Sequence, residues 1–73
     1  MSTNFAVRGQ YIQLDQLLKA ANLVSSGGEA HLAVEAGAVQ VDGQVETRKR
    51  AKLRPGQRVL FDGQEIVLLA AEG

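Results

Sequence analysis

The chain has 73 residues, eight basic against eight acidic side chains, 45% hydrophobic residues, one histidine and no cysteine. A chain of this length folds as one domain with a small core, which favours a binding surface over an enclosed catalytic pocket. The lack of cysteine excludes disulfides, thiolate metal sites and cysteine nucleophiles, and it suits a reducing compartment. Residues 1–8 carry no secretory apolar run, and the longest apolar run, Ile66 to Ala71, is too short to span a bilayer. The expectation is a soluble cytoplasmic monomer.

Met1 to Gly9 is polar and aperiodic, and reads as a flexible arm (1–9) ahead of a single domain (10–73). Tyr11 to Gln13 suggests a short edge strand. Leu14, Leu17, Leu18 and Ala21 then recur at the i, i+3, i+4, i+7 spacing of an amphipathic helix, expected over roughly Leu14 to Asn22 with Asn22 as its stop. Ser26-Gly27-Gly28-Glu29 has the Ser-x-x-Glu spacing of a capping box and opens a second helix. Ala30, Ala33 and Val34 give that helix a small-residue face, and Gly37 ends it.

After Gly37 the period changes from 3.6 to 2. Val39 and Val41 alternate with Gln40 and Asp42, Asp42-Gly43 signals a tight turn, and Val45 resumes the strand. Pro55-Gly56 marks a second turn, Arg58 to Asp62 a strand, Asp62-Gly63 a third turn, and Glu65 to Ala70 a closing strand. The layout is α+β: two short helices packed on a small antiparallel sheet of about four to five strands.

Residues 48–58 read Arg-Lys-Arg-Ala-Lys-Leu-Arg-Pro-Gly-Gln-Arg, which places six of the eight cations in one block without an acid. On a chain of zero net charge this block is a local field suited to a polyanion, and the neutral balance argues against indiscriminate binding to duplex DNA. If Val45 to Leu53 is extended, Arg48, Arg50, Lys52 and Arg54 share one face, with Arg58 in the same parity beyond the turn. Val45, Thr47, Ala51 and Leu53 then fall on the core side, and Lys49 breaks the alternation. Four such cations span about 20 Å, on the order of three or four phosphate spacings. A solvated basic hairpin without a partner is the alternative.

Aromatic residues are few: Phe5, Tyr11 and Phe61. Phe61 suits the core and Tyr11 an edge strand, so recognition should rest on backbone phosphates and shape, which suits structured RNA. At the start of the second helix, Gly27 and Gly28 leave free N–H groups open to an anion, although the spacing is equally that of an ordinary cap and Glu29 would repel phosphate. His31 alone would read as a surface residue with Glu35 at i+4 as its partner.

Taken in order, Leu-Asp-x-Leu-Leu in the first helix, Ser-Gly-Gly-x-Ala at the second and Glu-Ala-Gly-Ala-Val-Gln-Val-Asp-Gly beyond it resemble the RNA-binding domain of small-subunit ribosomal protein S-four, over Leu14 to about Phe61. Ser26-Gly27-Gly28, Gly37-x-Val39-x-Val41-Asp42-Gly43 and Glu46-Thr47-Arg48-Lys49-Arg50 are most similar to its small stand-alone bacterial branch. The resemblance implies the αL motif, with RNA held by the second helix and adjacent strands. Position by position it implicates Ser26, Gly27, Gly28 and His31 on the helix and Arg48, Lys49, Arg50 and Lys52 on the hairpin. Many larger members place arginine directly after the helix-two serine, where this chain has Gly27; backbone N–H groups or His31 would then substitute. At a position often cationic in the family, the weak basicity of His31 implies a contact stronger below about pH 6.5.

The function expected is non-catalytic recognition of structured RNA, with ribosomal RNA in subunit assembly or quality control as its setting. The alternative is a protein-interaction or small ubiquitin-like carrier domain, suggested by the terminal Gly73, although Glu72 stands where such carriers have a second glycine. No phosphate-loop pattern, carboxylate pair or metal-ligand spacing supports an enzyme, a metal site, a cofactor or a small-molecule substrate.

Overall fold

The computed structural model describes residues 2–71. Met1, at the head of the expected arm, and Glu72 and Gly73, on which the comparison with carriers rests, lie outside the described residues. Nine elements follow in order: β1 (Ser2–Val7), β2 (Ile12–Gln13), α1 (Leu14–Ala20), α2 (Gly27–Glu35), β3 (Val39–Val41), β4 (Gln44–Val45), β5 (Lys52–Leu53), β6 (Arg58–Phe61) and β7 (Gln64–Ala70). The main sheet has the order β1-β7-β6-β3-β4, and β2 pairs with β5 in a separate two-stranded ribbon.

The two helices lie on one face of the main sheet. Between them sits a core that includes Leu14, Leu17 and Leu18 of α1, Ala30 and Val34 of α2, and Val39, Val59, Ile66 and Leu68 of the sheet. Both helices end in the Schellman arrangement, in which the two residues after the C-cap, here Ala21 and Ala36, bond back to the last turn. After α1, the Asn22 and Leu23 N–H groups reach the Lys19 and Leu18 carbonyls; after α2, Gly37 and Ala38 reach Val34 and Ala33. Asn22 and Gly37 take φ of 61° and 75° to do so.

The hairpin turns also follow from local chemistry. Asp42-Gly43 (φ 52° and 82°) and Asp62-Gly63 (φ 54° and 76°) are both left-handed at each central position, as a two-residue type I′ turn requires. Asp42 adds side-chain bonds, accepting the Arg58 N–H at 3.0 Å and the Gln57 amide at 3.1 Å. These bonds, the Arg58 N–H first and the Gln57 amide second, hold its carboxyl below the usual carboxylate range.

One segment differs from its sequence reading. Residues 2–7 form a strand, β1, paired in parallel with β7 from Ser2 opposite Glu65 to Val7 opposite Ala70. The sheet is therefore mixed, and what the sequence suggested as an arm is its edge. Val7 is buried and Phe5 packs against the core, while Ser2, Thr3 and Asn4 are exposed. The run of polar Ser2, Thr3 and Asn4 masks the alternation, and the partner strand lies at the far end of the chain, so no turn announces the pairing.

Candidate nucleic-acid interface

The basic segment is shaped by what it is tied to. Helix α1 has no side-chain cap at its N-terminus, where Gln13 is the capping residue. Its free N–H groups are met by the basic segment: Leu14 donates to the Ala51 carbonyl and Asp15 to the Lys49 carbonyl, both at 2.9 Å. Ile12 opposite Leu53 and Gln13 opposite Lys52 extend the contact as a ribbon. Helix α1 and the basic segment thus complete one another's backbone hydrogen bonds.

This docking bends the segment. The Ala51 N–H donates to the Arg48 carbonyl at 3.1 Å, closing a turn with Lys49 and Arg50 at its centre, so the straight strand expected across Arg48 to Arg54 is absent. Exposure still follows the expected parity in part, since Arg48, Arg50, Lys52 and Arg54 are exposed and Ala51 and Leu53 are buried. Val45 and Thr47, expected on the core side, are exposed. The β4 register sets Val45 opposite Gln40, on the face away from the helices, and the turn at Lys49 and Arg50 separates that register from the one that buries Ala51 and Leu53.

Helix α2 presents Gly27, His31 and Glu35 at spacings of four, one above another on a single face. Each meets a different part of the molecule. A Cβ placed on Gly27 would lie 4.0 Å from Lys19 Cδ, so the stem of that α1 lysine runs past the glycine. His31 Nε2 donates to Asp15 Oδ2 at 3.1 Å, since an ionised carboxylate only accepts. Its partner is therefore on α1 and not the expected Glu35. Glu35 instead lines a groove with Thr47, Arg48, Lys49 and Arg50. Arg48 and Arg50 also line a second groove with Ala51 and Lys52, so the two are continuous.

At the start of α2, Ser26 Oγ accepts the Glu29 N–H at 3.2 Å, the expected cap. The second half of the capping box is absent: the Glu29 carboxylate accepts the Ser25 hydroxyl at 2.8 Å. The first-turn N–H groups of Gly27 and Gly28 have no partner within the helix, and neither position is crowded.

The cations differ in how far they are committed. Arg48 donates from Nε and Nη2 to the two oxygens of Glu46 at 3.1 and 3.0 Å, and its backbone N–H reaches the same carboxylate at 3.0 Å. The Arg48 side chain holds the Glu46 carboxyl below its usual range, and Glu46 in turn raises the guanidinium. Lys49, Arg50 and Lys19 have no acidic partner among the described residues. Lys52 places its ammonium 5.1 Å from the centre of the Tyr11 ring.

Arg54 and Arg58 are not brought to these grooves. Arg54 sits at the Pro55-Gly56 turn, its N–H donating to the Gln57 side chain at 2.7 Å. Arg58 belongs to the sheet face opposite the helices, in a depression with Gln40, Asp42, Leu60 and Glu65. Lys19 was not selected from the sequence. Its signal was available: it follows Asp15 by four residues on the helix that flanks the Ser26-Gly27-Gly28 start.

The sequence matches the S4 domain family over residues 5–69. The protein YbcJ of Escherichia coli (strain K12) is 40% identical over 70 residues, covering 96% of this chain and 100% of its own length, and YbcJ of Shigella flexneri gives the same figures. The solution structure of YbcJ from E. coli, described as revealing an αL motif involved in RNA binding, superposes with a TM-score of 0.66 at 38% identity. The superposition covers 94% of this chain and 86% of that one. With two helices packed on a sheet, a basic segment docked at α1 and this similarity along nearly its whole length, the chain belongs to the S4 domain family and has the αL fold.

Proposed function

We propose that the chain binds structured RNA without catalysis, through phosphate contacts on the surface that joins the start of α2 to the basic segment. Gly27 and Gly28 offer backbone N–H groups, Lys19, Lys49, Arg50 and Lys52 offer cations without an acidic partner among the described residues, and Arg48 offers a guanidinium oriented by Glu46. Ser26 shapes the helix start and His31 stands between the two halves. The observation that carries the proposal is the face of α2 on which Gly27, His31 and Glu35 meet Lys19, Asp15 and the basic groove in turn. The relation to YbcJ supports RNA as the polyanion. Arg54 and Arg58 lie outside this surface and are not assigned a phosphate.

Ribosomal RNA, met in the cytoplasm during subunit assembly or quality control, is the target we favour, because a surface of phosphate-binding groups without base-reading side chains suits a large structured RNA recognised by shape. Crosslinking in cells followed by sequencing of the bound RNA tests this. Enrichment of ribosomal RNA in contiguous sites supports the proposal, and enrichment of other RNAs alone removes the ribosomal part of it. Pull-down with and without nuclease separates RNA binding from direct docking on an acidic protein: partners that survive nuclease favour the second.

A further inference from the structure

Tyr11 stands where the basic surface turns toward the edge of the sheet. It is 41% exposed, although its neighbours Ile12 and Gln13 are half-buried in the β2–β5 ribbon. The Lys52 ammonium lies over the ring at 5.1 Å, which ties the aromatic group to the same residue that ends the basic groove. Beyond the ring, Tyr11 lines a groove of about 360 Å³ with Phe5, Ala6, Arg8, Ile12 and Gln16. Two aromatic rings and an isoleucine supply apolar walls there, and Gln16 and Arg8 supply a hydrogen-bonding amide and a cation at the rim. Among the described residues neither the Arg8 guanidinium nor the Gln16 side-chain amide is engaged by another side chain; the Gln16 bond to Asp15 comes from its backbone N–H.

We propose that this groove takes one unpaired nucleobase of the bound RNA, stacked on Tyr11. The inference rests on the RNA-binding reading and adds base contact to it. A flat aromatic face next to a line of cations is the arrangement by which single-stranded segments are held: phosphates follow the cations and a splayed-out base covers the ring. Lys52 serves both, since its charge sits beside the phosphate path and over one face of the ring, which leaves the other face to the base. Gln16 pairs with a base edge, and Arg8 receives the phosphate on the far side. The site selects for an unpaired nucleotide next to a helix and not for a particular base, because any base has a face to stack and the Gln16 amide, which both donates and accepts, can pair with any base edge.

The chain has one tyrosine and no tryptophan, so emission excited at wavelengths beyond the phenylalanine band reports this ring alone. The probes are a stem-loop RNA with an unpaired loop and a blunt duplex of the same stem. The stem-loop quenches Tyr11 emission, after correction with free tyrosine amide, and moves the ring protons upfield; the duplex does neither. Tyr11→Phe binds both RNAs as the wild type does, while Tyr11→Leu loses roughly tenfold on the stem-loop and nothing on the duplex. Equal loss on both RNAs, or no loss and no ring-proton shift, overturns the base site. If Tyr11→Leu fails to fold, the ring-proton shift in wild type and Tyr11→Phe still decides. Wild-type protein that binds both RNAs in a salt-dependent way without any signal at Tyr11 refutes the base site alone, whereas wild-type protein that binds neither RNA refutes the RNA reading as well.

Discussion

Asp15 bonds to both halves of the basic surface at once: its carboxylate accepts from the His31 imidazole at 3.1 Å, and its backbone N–H donates to the Lys49 carbonyl at 2.9 Å. Its other carboxylate oxygen accepts the Gln16 N–H at 2.8 Å, near the start of α1. Asp15→Ala removes both side-chain bonds and a favourable charge in the first turn, and should lower stability by about 1–2 kcal/mol. The urea midpoint should fall at unchanged slope; an unchanged midpoint would mean the two helices are held by apolar packing alone.

Glu46 and Arg48 make stability depend on acid. The Glu46 carboxyl is held below its ordinary 4.5, chiefly by the Arg48 side chain. A carboxyl depressed on folding contributes stability that is present above the unfolded value and is lost as pH falls through the folded one. Wild-type protein should therefore lose stability on acidification below about pH 4.5. Glu46→Gln should flatten that fall, and Arg48→Ala should move the Glu46 titration, followed by carbon NMR, back toward the ordinary value.

The hairpin that leads into the basic segment depends on a left-handed turn. Gly43 has φ of 82° and open space where a Cβ would go, so a substitution there meets backbone strain and no clash. Gly43→Ala should cost about 1–2 kcal/mol, measured by thermal or urea unfolding. A loss above that range would point to a packing role for Gly43.

Lys19 gives a test of the α1 contribution to the surface. The side chain is exposed and runs past Gly27, and it has no acidic partner among the described residues. Lys19→Ala should leave the urea midpoint in place, weaken binding to ribosomal RNA, and reduce the salt slope by about one. The change should be similar across RNA sequences, because the contact is to phosphate.

Both helices, the Ser26 cap, the Asn22 and Gly37 stops and the Asp-Gly turns were legible in the sequence because their signals are local and act within a few residues of themselves, whereas the Glu29 half of the capping box did not form. What the sequence hid is non-local. Residues 2–7 find their partner at the opposite end of the chain. The basic segment bends because its carbonyls complete the N-terminus of α1, a demand that nothing in residues 48–58 announces. Val45 is exposed because β4 pairs it with Gln40, on the sheet face away from the helices, and the Pro55-Gly56 turn carries Arg54 and Arg58 off the shared surface. Charge density along the chain thus marked the basic segment but could not show which of its cations share a surface, since that depends on the turn at Lys49 and Arg50 and on contacts with Glu46 and Tyr11.

The central claim, that this surface holds RNA by its phosphates, is tested most directly by the salt dependence of binding to purified ribosomal RNA. With about four to six phosphate contacts, the logarithm of affinity should fall against log salt with a slope of roughly −3 to −5. The Arg48→Ala, Arg50→Ala, Lys52→Ala triple variant should bind more weakly and lose about two to three units of that slope, while its unfolding curve keeps a native-like cooperative shape. The same affinity and slope in the folded triple variant would contradict the account.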